Sequence, residues 1–190
     1  WVKMYVHRWL EATVQKADGS IQSKQGKGTP QGGVISPLLA NLYLHYGLDK
    51  WLAINHPANS FVRYADDAVI HCRTEQEAEQ LKPAISERMT AIGLRLNEEK
   101  TQIVYCKDYR RKSKQDKVEF GFLGFSFRPR QTRSKTGMGY MTFTPEIGKA
   151  SQKKIRESLR TTVNWQNTSQ AIGQVAATLN PKLRGWLNYY

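Results

Sequence analysis

Asp66 and Asp67 stand side by side between two short apolar runs, and no other stretch constrains the fold of this chain as much. Phe61-Val62-Arg63 before them alternates apolar and polar residues, and Ala68-Val69-Ile70-His71 after them does so less cleanly. The pattern predicts a tight β-hairpin with Tyr64-Ala65-Asp66-Asp67 at its tip. Adjacent like charges cost energy unless a cation neutralises them, and a hard divalent ion such as Mg²⁺ prefers carboxylate oxygens. A bare Asp-Asp pair is usually a surface turn. An aromatic and a small residue just ahead of the acids, with strands on both sides, favour the metal-binding reading.

Upstream, Ala17-Asp18-Gly19-Ser20 is a hairpin-type turn between Thr13-Val14 and Ile21-Gln22. Residues 1–10 are aromatic and β-branched and fit either a helix or a strand. Gly28-Thr29-Pro30-Gln31-Gly32-Gly33-Val34-Ile35-Ser36-Pro37 then leads into a helix. Ser36 reads as its N-cap and Pro37 as its first turn. Leu38, Leu39, Leu42, Tyr43 and Tyr46, with Leu48 and Trp51 as further candidates, keep an apolar helical face that runs to about Leu52. Gly32 and Gly33 let the backbone come close to a ligand at the positive end of that helix, a place suited to a base pair or a triphosphate.

Downstream, Thr74-Glu75-Gln76-Glu77 has the form of a capping box. Ala78, Leu81, Ile85, Met89 and Ile92 continue a helix that contains Pro83 and stops at Gly93. Leu94–Leu96 and Gln102–Tyr105 are expected strands, and 107–118 a basic loop. Phe120–Phe127 reads as an aromatic hairpin, Arg128–Gly139 as a second basic loop, and Tyr140–Thr144 as a strand. Helices are expected at 145–163, at 168–179 and from Pro181 onward.

A chain of 190 residues, 39% hydrophobic, can bury one good core and a small appended domain. Its net charge of +13 is concentrated: residues 106–160 carry fifteen Lys/Arg against five Asp/Glu, which accounts for ten of it. Such a stripe suits a phosphate backbone, where each neutralised charge releases a counterion. Cys72 and Cys106 lie far apart without metal-ligand spacing and suggest a reducing compartment, with a lone disulfide as the alternative. We find no leader and no apolar run of about eighteen residues, so no membrane partner is expected. The start at Trp1 and the end at Tyr190 suggest a piece of a longer protein.

Together these stretches resemble a group II intron-encoded reverse transcriptase/maturase. The residues that carry the resemblance are GTPQGGVISPLLAN at 28–41, FVRYADD at 61–67, LRLNEEKT at 94–101, FLGF at 122–125 and NPKLRGWLNYY at 180–190. Their order matches the second half of the palm followed by the start of the thumb or maturase region. The resemblance implies an RNA-directed DNA polymerase in which two Mg²⁺ ions, about 3.5–4 Å apart, join a nucleotide to a 3′-hydroxyl. Asp66 would be the main metal ligand, Asp67 the secondary one, and Lys100 would lie near the leaving pyrophosphate. Gln31, Gly32, Gly33, Tyr64 and Ala65 would border the nucleotide and primer terminus. Phe122, Leu123 and Gly124 would form the primer grip. Arg128, Arg130, Lys149, Lys153, Lys154 and Arg156 would follow nucleic-acid backbone. Trp186, Tyr189 and Tyr190 read as core residues.

The implied partners are an RNA template, a DNA primer, a dNTP and group II intron RNA, in a bacterial-type cytoplasm. The implied fold class is α+β. The 61–71 hairpin would be central in an antiparallel palm sheet packed by helices 37–52 and 74–92. The implied division is a partial palm at 1–127, a linker or hairpin at 128–144, and the start of a helical thumb at 145–190. One departure stands out. The family's third metal-binding aspartate, in an upstream Phe-Asp strand, has no counterpart among residues 1–27, where Asp18 sits in a turn. Weak or absent Mg²⁺ binding and no polymerisation are therefore expected of these 190 residues alone. Two alternatives remain: an RNA-binding splicing module without a role in synthesis, and a domesticated relative of the retron, diversity-generating or defence type.

Overall fold

A computed structural model of the chain describes residues 1–23, 28–29, 32–110, 115–163 and 170–190. Helices and antiparallel strands combine in an α+β fold, divided into two compact units, Trp1–Thr101 and Gln102–Tyr190.

The first unit opens with helix α1 (Val2–Glu11), which settles residues 1–10 as helical. Trp1, Tyr5 and Trp9, four residues apart, bring their rings together on one face with centroids 6.5 and 6.1 Å apart. Strands β1 (Val14–Gln15) and β2 (Ile21–Gln22) pair around the expected turn. There Asp18 accepts hydrogen bonds from the Ser20 amide at 2.9 Å and from its hydroxyl at 2.6 Å.

One helical run extends from α2 (Ser36–Leu44) through a π-helical turn (His45–Asp49) into α3 (Lys50–Asn55). Ile35, not Ser36, holds the N-cap place. Ile35 already has helical dihedrals and the Ser36 amide is bonded to the Gly33 carbonyl, so Ser36 is the first helical residue. A π turn shifts the hydrogen-bond ladder by one residue and changes the face presented beyond it. Arg88 donates to the Gly47 carbonyl there at 2.7 Å. A Cβ built on Gly47 would lie 2.7 Å from Ile92 Cδ1, at the C-cap of α4 (Glu75–Ala91), so a side chain at 47 would push that methyl aside.

Helix α4 starts as expected, with the Thr74 hydroxyl accepting from the Glu77 amide at 3.2 Å. The Glu77 carboxylate reaches back one residue further than in a standard capping box, to the Arg73 amide at 2.6 Å, and also accepts from Asn59 at 2.9 Å. Those bonds, led by the Arg73 amide, hold its carboxyl below the ordinary glutamate value. Pro83 lies inside the helix without ending it. The core joins Leu44, Leu48 and Leu52 to Leu81, with Ile85 and Met89 against them. Phe61 and Ile70 reach the same core from the hairpin formed by β3 (Phe61–Tyr64) and β4 (Asp67–Ile70). The two expected helices thus do pack one face of the acidic hairpin.

The hairpin is not central in a larger sheet. It forms a two-stranded sheet of its own among the described residues. The expected strands at 94–96 and 102–105 are irregular instead. The Leu94 amide closes the end of α4 by bonding to the Met89 carbonyl, and the Tyr105 amide bonds to the Lys117 carbonyl without a ladder forming around it. Alternation suits a segment to a strand, but a strand forms only where a neighbour satisfies its backbone groups.

In the second unit, β5 (Phe120–Phe122), β6 (Phe125–Arg133) and β7 (Gly139–Ile147) form an antiparallel meander. The basic loop expected over 128–139 is therefore mostly strand. Pairing runs from Phe125↔Ile147 to Arg133↔Gly139, and only 134–138 form the turn. Arg128 and Arg130 alternate with Pro129 and Gln131, so their charges share one face. Phe120 stacks on Phe127 and Phe143 on the other, with centroids 4.9 and 6.0 Å apart. Helix α5 (Lys149–Thr162) begins after Pro145–Ile147, which belong to β7. Helix α6 (Ile172–Tyr189) is continuous where a break at Pro181 was expected. Proline's fixed φ is itself helical, so the turn continues although one donor is lost. Among the described residues no helix is long and apolar enough to cross a membrane.

Candidate metal and nucleic-acid site

Tyr64 and Asp67 pair across the hairpin and leave Ala65-Asp66 as a two-residue turn. Ala65 has φ +52°, whereas Asp66 does not enter the positive region. Positive φ at the first turn position alone is the type II′ pattern, which normally takes glycine. An alanine held there carries local strain on the order of 1–3 kcal/mol. Both carboxylates are exposed, as is Tyr64. Alternation places Asp67 on the outer face with Val62, Tyr64 and Val69, while Phe61, Arg63 and Ile70 turn inward. The acidic corner is therefore open to a large ligand.

Beneath the turn lies an arrangement that sequence reasoning missed. The Arg63 side chain is 9% exposed and forks onto Asp49 of the π turn, Nε to Oδ1 and Nη2 to Oδ2, each at 2.7 Å. Its remaining nitrogen, Nη1, donates to Asn41 Oδ1 at 2.8 Å and to the Ala65 carbonyl at 2.7 Å. Arg63's hydrogen bonds hold the Asp49 carboxyl below the ordinary aspartate value, with a smaller contribution from His45. The one available signal was an arginine at a strand position whose neighbours in register face the core.

Of the other expected nucleotide contacts, Gly32 is exposed with φ +86°, and Gly33 begins the turn into α2. Gln31 lies outside the described residues. Lys100 is exposed in a turn where its amide bonds Asn97 Oδ1 at 3.2 Å, and no contact joins it to Asp66 or Asp67 among the described residues.

In the second unit, Leu123-Gly124 links β5 to β6 with φ +51° and +81°. Both positive values define a type I′ turn, an unusual place for leucine. The turn is braced from several sides. Tyr189 donates to the Leu123 carbonyl at 2.9 Å, while the Gly148 amide and the Ser151 hydroxyl donate to the Gly124 carbonyl at 2.9 and 3.0 Å. Tyr189 and Tyr190 also pack on Phe125, with centroids 6.0 and 5.2 Å away. Phe122 is half-buried in the adjoining strand.

Arg128 and Arg130 converge on Glu146, Arg128 at 2.6 Å, and hold its carboxyl below the ordinary value, Arg130 more strongly. Their charge is therefore partly compensated within the sheet. On α5, Lys149, Lys153, Arg156 and Arg160 are exposed at helical spacing along one face, with Lys154 beside them. Arg156 reaches Gln152 at 3.4 Å and Lys153 reaches Glu157 at 3.8 Å, weak exposed contacts that leave these cations open to a polyanion.

Among the described residues no group of three His, Cys, Asp or Glu is placed to hold a metal ion. The donor set in the turn is the pair Asp66 and Asp67. That set fits Mg²⁺, which commonly takes one or two protein carboxylates and completes its shell with water and substrate phosphate.

Comparison with known proteins identifies both segments. Residues 1–127 match the family described as reverse transcriptase (RNA-dependent DNA polymerase). Residues 152–190 match the group II intron maturase-specific domain. Protein YkfC of Escherichia coli (strain K12) is 27% identical over 190 aligned positions, covering 83% of this chain and 46% of that protein. The chain thus spans about half the length of that curated relative.

Proposed function

The chain belongs to the reverse transcriptase (RNA-dependent DNA polymerase) family and carries a group II intron maturase-specific segment, and from that premise we propose that it is part of an enzyme that copies RNA into DNA for an intron. The observation that carries this reading is the exposed acidic turn, with two carboxylates free for ligands at the tip of a hairpin whose underside is anchored. Asp66 would hold the Mg²⁺ ions and Asp67 would support it. When bound, the ions lower the pKa of the primer 3′-hydroxyl and stabilise the charge building on the phosphates.

The chain's own residues bind and orient. Tyr64 and Ala65 would lie against the primer terminus, with Gly32 and Gly33 beside the incoming nucleotide and Lys100 serving the leaving group; the same nucleotide is the expected ligand of Gln31. Phe122, Leu123 and Gly124 would hold the primer strand, the bracing by Tyr189 and Ser151 giving that turn its rigidity. Lys149, Lys153, Lys154 and Arg156 would follow phosphates of template duplex or intron RNA, assisted by Arg128 and Arg130. Two carboxylates from one turn cannot fix two metals alone, so these 190 residues by themselves are proposed not to polymerise.

The test uses the full-length protein with Asp66→Ala, assayed for primer extension and for intron splicing. Loss of cDNA with splicing retained supports the polymerase reading. Both activities unchanged would favour the alternative, a splicing module that keeps the turn without using it.

A further inference from the structure

We propose that Arg63 is a positioning residue for the metal-binding turn, setting the direction in which Asp66 leaves the backbone. This rests on the reading of Asp66 as a metal ligand. Only two non-glycine residues among those described have positive φ, Ala65 and Leu123, and each has its carbonyl taken by a side chain. At Ala65 that side chain is the Arg63 guanidinium.

The geometry of the contact gives it a definite effect. The Ala65 carbonyl belongs to the peptide unit that joins Ala65 to Asp66, and a peptide unit is planar. Holding its oxygen orients the plane that contains the Asp66 Cα, and with it the direction of the Asp66 side chain. The Arg63 nitrogen that does this is itself fixed, because Nε and Nη2 are committed to both oxygens of Asp49. A planar guanidinium held at two corners has no freedom left at the third, and that third corner meets Ala65 and Asn41. Lysine could neutralise Asp49, but its single ammonium cannot reproduce the fork.

A purely structural ion pair is the competing account, and it explains less. A largely buried pair roughly balances its own desolvation, which makes it a weak reason to place an arginine at a core-facing position. The π turn adds to the case, because it supplies Asp49 at the register the fork needs, and π turns concentrate at functional sites. Asn41 lies on the helix that follows the Gly32-Gly33 bend, so the same nitrogen ties the nucleotide-side helix to the acidic turn.

The experiment compares full-length wild-type protein with Arg63→Lys, Asp49→Asn and the control Asp66→Asn. Hydrogen exchange of the 61–70 segment without metal is read beside steady-state primer extension over a Mg²⁺ titration. Arg63→Lys is expected to speed exchange in 61–70 at least tenfold while segments from α2 and α4 hold their wild-type rates. It should also raise the half-saturating Mg²⁺ concentration at least fivefold and lower kcat at least tenfold, with duplex affinity and dNTP KM within twofold. Asp49→Asn keeps the volume but weakens one arm of the fork, and should shift exchange and Mg²⁺ dependence about threefold. That variant decides the matter if Arg63→Lys loses duplex affinity through misfolding. Wild-type exchange and Mg²⁺ dependence in a folded Arg63→Lys or Asp49→Asn protein, with Asp66→Asn inactive, would overturn the positioning role alone. An active Asp66→Asn would instead overturn the reading of the turn on which it rests.

Discussion

The hydroxyl of Tyr189 donates to the carbonyl of Leu123 at 2.9 Å, joining residues 66 positions apart in the sequence. The C-terminal aromatic motif therefore braces a strained turn in the FLGF segment. Tyr189→Phe should cost about 1 kcal/mol at that turn. Gly124→Ala should cost more, about 1–3 kcal/mol, because it adds a side chain at φ +81° within 3.0 Å of the Tyr190 hydroxyl. Hydrogen exchange of the 120–127 segment measures both, and wild-type protection in Gly124→Ala would contradict the account.

Gly47 offers a change of sign. Alanine there should gain roughly 1 kcal/mol of helix propensity, offset by its clash with Ile92 Cδ1. Ile92→Val removes that methyl. Gly47→Ala should therefore destabilise the wild type and stabilise the Ile92→Val background, as read from melting temperatures of the four proteins in the cycle.

The Arg63–Asp49 pair makes stability depend on acid. Arg63 holds the folded Asp49 carboxyl below its unfolded value, which is about 4. The folded value being the lower, the pair's contribution is fully present above the unfolded value and is lost as pH falls through the folded one. Acidification from about pH 6 to about pH 3 should lower the melting temperature of the wild type more than that of Asp49→Asn. Parallel losses in the two proteins would contradict it.

Much of this was legible from local signals. The Asp18 turn, the Thr74 cap and the acidic hairpin are each set by residues within a few positions of one another. Leu81 was legible as core in the same way, but the apolar face expected of the first long helix was not the buried one: Leu38, Leu42, Tyr43 and Tyr46 are exposed, and Leu44, Leu48 and Leu52 meet Leu81 instead. What escaped depends on partners distant in sequence. Leu94–Leu96 and Gln102–Tyr105 have strand-like composition but form no ladder. Arg128–Arg133 looks like a basic loop until Glu146 and β7 are placed beside it. The π turn leaves no mark on a periodicity it shifts by one residue. Beyond its strand position, Arg63 carries no local signal of its role, because Asp49 and Asn41, which explain it, lie 14 and 22 positions away.

The α5 stripe makes a prediction about salt. Replacing Lys149, Lys153 or Arg156 with Gln, singly in the full-length protein, should weaken duplex binding and reduce the slope of log affinity against log salt by about 0.7–0.9 per lost phosphate contact. Unchanged slopes in all three would remove α5 from the nucleic-acid surface.

The central claim is that the open acidic corner grips Mg²⁺ for nucleotide joining. Single-turnover incorporation of one dNTP by full-length protein bearing Asp66→Asn tests it most directly, with template–primer binding measured on the same samples. The account predicts a rate lower by on the order of a thousandfold with binding of the duplex intact. A wild-type rate in that variant would contradict it.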